Sequence, residues 1–284
     1  MNIQWYPGHM TKTRRQMEED VKLVDLVAEI VDARIPISSR NPDIDAIVGN
    51  RPRLIIFNRV DQADPDVTAR WIAWFNAKGY GVIETDAKSG KGVAQFSNAS
   101  KAVLKDKLAA WKAKGQVGRP IRAMVVGVPN VGKSTFINKV AKRKSAKASD
   151  RPGITRGKQW VNVDSGLELL DTPGILWPKF EDEATGLHLA FTGAVKDEVT
   201  DMEGLACALL ELLRDRYPKA LEERYKLTEL NGRPGWELLE QGARKRGMLI
   251  SGGEADTERM AKVLLDEFRG GKLGHFTLEE PKDL

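Results

Sequence analysis

Short apolar runs set the rhythm of the first two thirds of the chain. Leu26-Val27-Ala28-Glu29-Ile30-Val31, Arg53-Leu54-Ile55-Ile56-Phe57, Gly81-Val82-Ile83-Glu84-Thr85, Arg122-Ala123-Met124-Val125-Val126 and Leu167-Glu168-Leu169-Leu170 each read as a buried strand. Helical stretches such as 65–77 and 135–140 lie between or after them. Alternation of this kind predicts a mostly parallel sheet with helices on both faces. The segment to about residue 22 reads as a loop and a short helix. Lysines at 101, 105, 107, 112 and 114 surround Val103, Leu104, Leu108 and Trp111, the pattern of an amphipathic helix with a solvated charged face. Gly115-Gln116-Val117-Gly118-Arg119-Pro120 is a turn-rich joint. Beyond about residue 180 the period becomes helical, with Leu205, Leu209, Leu212 and Leu213 on one side of a helix near 201–216. Further helices are expected near 218–230, 235–246 and 256–269. The expected domains are therefore an α/β domain in 1–179 and a small all-helical domain in 180–284.

The chemistry sits at the strand ends. Gly127-Val128-Pro129-Asn130-Val131-Gly132-Lys133-Ser134 fits the phosphate-binding loop G-x-x-x-x-G-K-[ST]. Such a loop offers backbone N–H groups to phosphate oxygens at the positive end of a helix. Lys133 is expected on the β- and γ-phosphates, and the Ser134 hydroxyl on Mg²⁺. Thr135 opens the helix that follows. Asp171-Thr172-Pro173-Gly174 ends a later strand: Asp171 is a candidate Mg²⁺ partner through water, and the Gly174 amide a γ-phosphate contact. Arg151-Pro152-Gly153-Ile154-Thr155-Arg156 lies between them, and Thr155 is the candidate switch threonine that closes over Mg²⁺.

Asn58-Arg59-Val60-Asp61 looks like the guanine-reading motif N-K-x-D of GTPases. Asp61 can accept from both N–H donors of the Watson–Crick edge of guanine, a pair that adenine lacks. Asn58 would brace the loop, and the Arg59 guanidinium can stack on a ring in place of the usual Lys. Asp86-Ala87-Lys88 follows the next strand and resembles the S-A-K loop that backs guanine with a main-chain amide, with Asp86 replacing Ser. The guanine motif thus precedes the phosphate loop by about 70 residues. An ordinary GTPase has the reverse order, so the chain reads as a circularly permuted P-loop GTPase.

These motifs, with Trp5-Tyr6-Pro7-Gly8-His9-Met10-Thr11-Lys12, Asp32-Ala33-Arg34-Ile35-Pro36, Ile175-Leu176-Trp177-Pro178 and Phe268-Arg269-Gly270-Gly271-Lys272-Leu273-Gly274, carry a nearly end-to-end resemblance. The chain resembles the bacterial ribosome biogenesis GTPase A family, circularly permuted GTPases that assemble the large ribosomal subunit. The resemblance implies binding of a large-subunit precursor and GTP hydrolysis coupled to a late assembly step and release. Many GTPases place a water-orienting Gln where this chain has Ile175. His9 is the family's candidate for that task, and a neutral imidazole suits it. Catalysis is thus expected from His9, Lys133 and Thr155, with stimulation by the subunit. Asn130 resembles the loop asparagine of GTPases activated by K⁺. The C-terminal module of the family binds RNA, and Arg244-Lys245-Arg246 are candidate phosphate contacts. The alternative is an RNA-binding assembly scaffold that holds GTP as a structural ligand.

Composition narrows the class further. The 284 residues are 41% hydrophobic and 30% charged, in the range of a soluble globular protein. Cys207 is the only cysteine, so an internal disulfide is impossible. No apolar run approaches a membrane span, and the N-terminus lacks a signal-peptide core. These features point to the bacterial cytoplasm, with no membrane or DNA partner expected. The net charge of +5 is uneven: residues 1–180 hold 30 Lys+Arg against 18 Asp+Glu, and the rest hold 15 against 22. A basic first part suits a phosphate-rich partner.

Overall fold

The computed structural model describes residues 10–142, 160–164, 166–172, 182–195, 197 and 201–281. They divide into two compact units, one within Lys179–Leu278 and the other within Tyr6–Pro178 together with Glu279–Leu284. The sequence-based boundary left Glu279, Glu280 and Pro281 with the helical domain; they group with the α/β unit instead.

In chain order the α/β unit contains α1 (Met10–Asp20), β1 (Leu26–Asp32), α2 (Pro42–Val48), β2 (Arg53–Asn58), α3 (Pro65–Ala77) and β3 (Gly81–Thr85). There follow α4 (Phe96–Val103), α5 (Lys105–Ala113), β4 (Ile121–Val126), α6 (Lys133–Lys142), β5 (Trp160–Asp164) and β6 (Leu167–Asp171). The six strands form one sheet in the order β3-β2-β1-β4-β6-β5. All neighbours are parallel except the edge strand β5, which runs antiparallel to β6. Strand β1 is buried along its whole length, which explains its continuous apolar run.

Alternation along the strands separates two faces. Val27 and Met124 pack with Met17, Val21, Ile44 and Val48 of α1, the turn after it and α2. Val31, Ile55 and Phe57 pack with Val67, Trp71 and Phe75 of α3 on the same face. Between Val27 and Val31 sits Glu29, 1% exposed, in ion pairs with Arg40 at 3.0 Å and Arg53 at 3.4 Å. A carboxylate at such depth needs both partners to offset its desolvation. The opposite face receives α4, where Val103 lies against Gly81 and Leu54. Phe96 of α4 meets Phe136 of α6 edge to face at 5.3 Å.

Helix starts follow the local sequence. Asp64 caps α3 by accepting from the Asp66 and Val67 amides, with Pro65 in the first turn. The lysine-rich stretch expected as one helix is two, α4 and α5, because Leu104 leaves helical geometry (ψ 13°) and turns its side chain into the core.

The helical unit contains α7 (Glu183–Phe191), α8 (Met202–Arg216), α9 (Pro218–Tyr225), α10 (Gly235–Lys245) and α11 (Thr257–Arg269). Helix α9 is shorter than the period suggested, because Lys226 adopts φ 57° and stops it. No described helix is long and apolar enough to cross a membrane.

Candidate functional site

The phosphate-loop residues link β4 to α6, at the point where the sheet order reverses between β1 and β4. Ligands of open α/β sheets bind at this carboxyl edge. Lys133 opens α6 and is 8% exposed, with Nζ donating to the carbonyls of Gly127 at 3.1 Å and Val128 at 3.0 Å. Burial pushes its ammonium down to about 8, against the opposing pull of Asp171. Ser134 and Thr135 follow on the first turn and are exposed. Asp171 ends β6 in register with Val125 and is also exposed. Thr172 is buried and donates its hydroxyl to the Val125 carbonyl at 2.5 Å. The strand pair therefore fixes Asp171 beside the phosphate loop.

The guanine-motif residues join this loop from β2. Asn58 is 3% exposed and spans the two: its Nδ2 donates to the Val131 carbonyl at 2.8 Å. Its Oδ1 accepts from the Ala87 amide at 2.9 Å and the Thr85 hydroxyl at 3.2 Å. Gly132 has φ 105°, and a Cβ there would stand 2.3 Å from Asn58 Nδ2. Glycine is thus required both by conformation and by this close approach. Arg59 donates from Nη2 to the Asn130 carbonyl at 2.8 Å. Both residues are left-handed without being glycine, Arg59 at φ 63° and Asn130 at φ 58°. Strained backbone at paired loop positions is characteristic of ligand sites. Asp61 lies in the turn after Arg59 and faces solvent.

Asp86 substitutes for serine by closing its own turn, accepting from the amides of Lys88 at 2.9 Å and Ser89 at 3.2 Å. Burial opposes its ionisation, but these bonds hold its carboxyl below the usual aspartate value. The Ala87 amide, expected behind the base, braces Asn58 in this arrangement.

Comparison with known proteins agrees with this geometry. A family model described as 50S ribosome-binding GTPase matches residues 122–232. Ribosome biogenesis GTPase A of Bacillus cereus is 48% identical over 283 residues, covering 100% of this chain and 95% of that protein. The protein of the same name from Thermotoga maritima is 32% identical, covering 99% and 96%. Among solved structures, GNP-bound YlqF from T. maritima superposes with a TM-score of 0.65 at 29% identity, over 96% of this chain and 100% of that one. The chain belongs to the ribosome biogenesis GTPase A family.

Of the residues expected from the sequence, the contacts above bring together Asn58, Arg59, Ala87, Asn130, Val131 and Gly132, with Lys133 next to Gly132 and Asp86 next to Ala87 in the chain. Strand register and charge add Asp171. His9, Thr155 and Gly174 lie outside the described residues, as does Ile175. The described oxygen donors, the Ser134 hydroxyl and the Asp171 carboxylate, are the hard ligands that suit Mg²⁺.

Two residues of this ribosome biogenesis GTPase A site carried a family motif in the sequence but no role. Asp32 ends β1 and is 3% exposed; Arg34 is fully buried. Arg34 grips Asp32 through Nε at 2.9 Å and Nη2 at 2.7 Å. Asp32 also stands 3.7 Å from Arg59 Nε. Burial would raise the Asp32 carboxyl, but Arg34 and Arg59 hold it below its ordinary value. An acid at the tip of the strand beside β2 was the available signal.

The candidate RNA contacts differ among themselves. Arg246 is committed internally, to Glu267 at 3.1 Å and over the Tyr225 ring at 4.8 Å. Arg244 pairs with Glu240 at 2.8 Å and borders a cleft of about 550 Å³ that also contains Glu203 and Glu254. Lys245 is exposed.

Proposed function

We propose that this ribosome biogenesis GTPase A homologue binds a precursor of the large ribosomal subunit and couples GTP hydrolysis to a late assembly step and to its own release. The observation that carries the reading is the bond from Asn58 to the Val131 carbonyl, which joins the base-reading loop to the phosphate loop despite their inverted order in the chain.

In this reading the loop amides from Asn130 to Thr135 cradle the phosphates, and Lys133 turns from the Gly127 and Val128 carbonyls to the β- and γ-oxygens. These preorganised donors stabilise charge as it spreads over the transferred phosphoryl group. Ser134, Asp171 and Thr155 would hold Mg²⁺, which would supply positive charge against the phosphate oxygens. Asp61 selects guanine, and Asn130 suits a K⁺ that shields the same charge. His9 orients the attacking water, a task Ile175 cannot perform. The basic α/β unit suits rRNA phosphates, while the helical unit offers local contacts, foremost Lys245.

Steady-state GTP hydrolysis in K⁺ buffer, with and without purified large subunits, tests the proposal. Strong stimulation by subunits is expected, and loss of most of that stimulation in His9→Ala. Tight GTP binding without turnover in either condition would replace it with the assembly-scaffold reading.

A further inference from the structure

Leu278 closes the helical unit, and the next residue, Glu279, returns to the α/β unit. There its carboxylate accepts from the amides of Ile37 at 2.6 Å and Ser38 at 2.9 Å, and from the Ser38 hydroxyl. The Glu279 carbonyl accepts from Trp71 Nε1 at 2.9 Å. Glu280 takes two bonds from Arg70, at 3.0 and 2.8 Å. A carboxylate on two successive main-chain amides is a charge-assisted and directional hold.

The loop that Glu279 grips is the one behind the guanine motif. It closes on itself through Ser39 N to Ile35 O at 3.0 Å and Arg40 N to Ile37 O at 2.9 Å. Ser39 Oγ accepts from the Asp32 amide at 2.9 Å. From the same turn, the Ala33 amide donates to the Asn58 carbonyl at 2.9 Å. Asp32, locked by Arg34, faces Arg59, and Arg59 reaches Asn130 of the phosphate loop. Consecutive polar contacts therefore run from Glu279 through residues 32–39 to the base-reading residues.

We propose that Glu279 is a positioning residue for guanine-nucleotide binding: it holds the 33–39 loop so that Asp32 and Ala33 fix Arg59 and Asn58. The proposal rests on the reading of Asn58–Asp61 as the base-reading motif. Glu279 touches no reacting atom, so its loss weakens nucleotide retention and base discrimination rather than the hydrolytic step.

The test uses the full chain and fluorescent N-methylanthraniloyl-GDP. Glu279→Ala should speed GDP dissociation about tenfold, the scale of losing a charge-assisted contact. It should also raise KM for GTP, with kcat at saturation within about twofold, and narrow the preference for GTP over ITP. Glu279→Gln keeps an acceptor oxygen for the amides and should fall between the two, which preserves the test if the alanine variant fails to fold. Arg70→Ala removes an exposed pair and should change nothing. A lowered unfolding temperature with unchanged GDP dissociation and unchanged GTP/ITP preference in both Glu279 variants would overturn the proposal. Asp61→Ala separates the two levels. If it abolishes the preference while the Glu279 variants do not alter it, only the positioning role fails. If it too leaves the preference intact, the base-reading assignment fails as well.

Discussion

Asn58 carries more of the site than any other single side chain. Each of its polar atoms is used, one toward Val131 and one toward Ala87 and Thr85, and all lie in a buried setting. Asn58→Ala leaves the Val131 carbonyl and the Ala87 amide short of partners, a loss of about 1–3 kcal/mol for each unsatisfied group, while the Thr85 hydroxyl keeps the Phe57 carbonyl. We expect it to weaken GDP binding at least tenfold, readable by fluorescence titration; unchanged affinity would show that the two loops hold each other by other means. Lys133 yields a prediction in pH. Its ammonium sits near 8, and phosphate binding requires the charged form, so affinity is highest below that value. GDP binding should weaken between about pH 7 and about pH 9, and Lys133→Met should be both weak and flat over that range. Motif spacing was enough to locate both residues in the sequence. The ion-pair partner of Arg59 was not legible, because Asp32, held by Arg34, meets it only once β1 and β2 are side by side.

At the scale of elements, apolar runs located the strands well because β1, β2 and β4 are buried on both faces. Periodicity failed where one backbone angle decides, at Leu104 and Lys226, and where an edge strand such as β5 is half polar. Close approach is likewise invisible in a single sequence. Gly235 begins α10 against α8, where a Cβ would lie 2.3 Å from the Cys207 carbonyl. Gly235→Ala should therefore destabilise the helical unit by about 1–3 kcal/mol, the usual cost of overpacking, without altering GDP affinity; denaturant melts would show it. Glu267 of α11 supplies a second test. Burial opposes its charge, but bonds from Arg224 and Tyr225 and the charge of Arg246 hold its carboxyl down to about 2, below an ordinary 4.5. A depressed carboxyl stabilises the fold above its unfolded value and loses that contribution as pH falls through the folded value. Helicity of the chain should accordingly erode between about pH 4.5 and about pH 2, and Glu267→Gln should remove that component of the acid response.

For the whole molecule, the permutation changes which ends are free. The loop that joins α5 to β4 in this chain replaces the ordinary termini, and the sheet order is kept because the same strands still meet. Inverted motif order could be read from the sequence, as could the change to helical character near residue 180. The return of the chain end to the α/β unit could not, since Glu279-Glu280 is an unremarkable acidic pair until Ile37, Ser38 and Arg70 are placed around it. Charge separates the molecule as well, with the basic excess confined to residues 1–180. On the proposed reading, residues 58–61 recognise the base for a phosphate loop about 70 residues further along. Competition among GTP, ATP and XTP, for the wild type and for Asp61→Asn, tests it most directly. Asp61 accepts from guanine N–H groups, whereas an amide can donate to the extra carbonyl of xanthine. GTP preference is expected in the wild type and a shift toward XTP in the variant; an Asp61→Asn protein that still prefers GTP as strongly would show that Asp61 does not read the base.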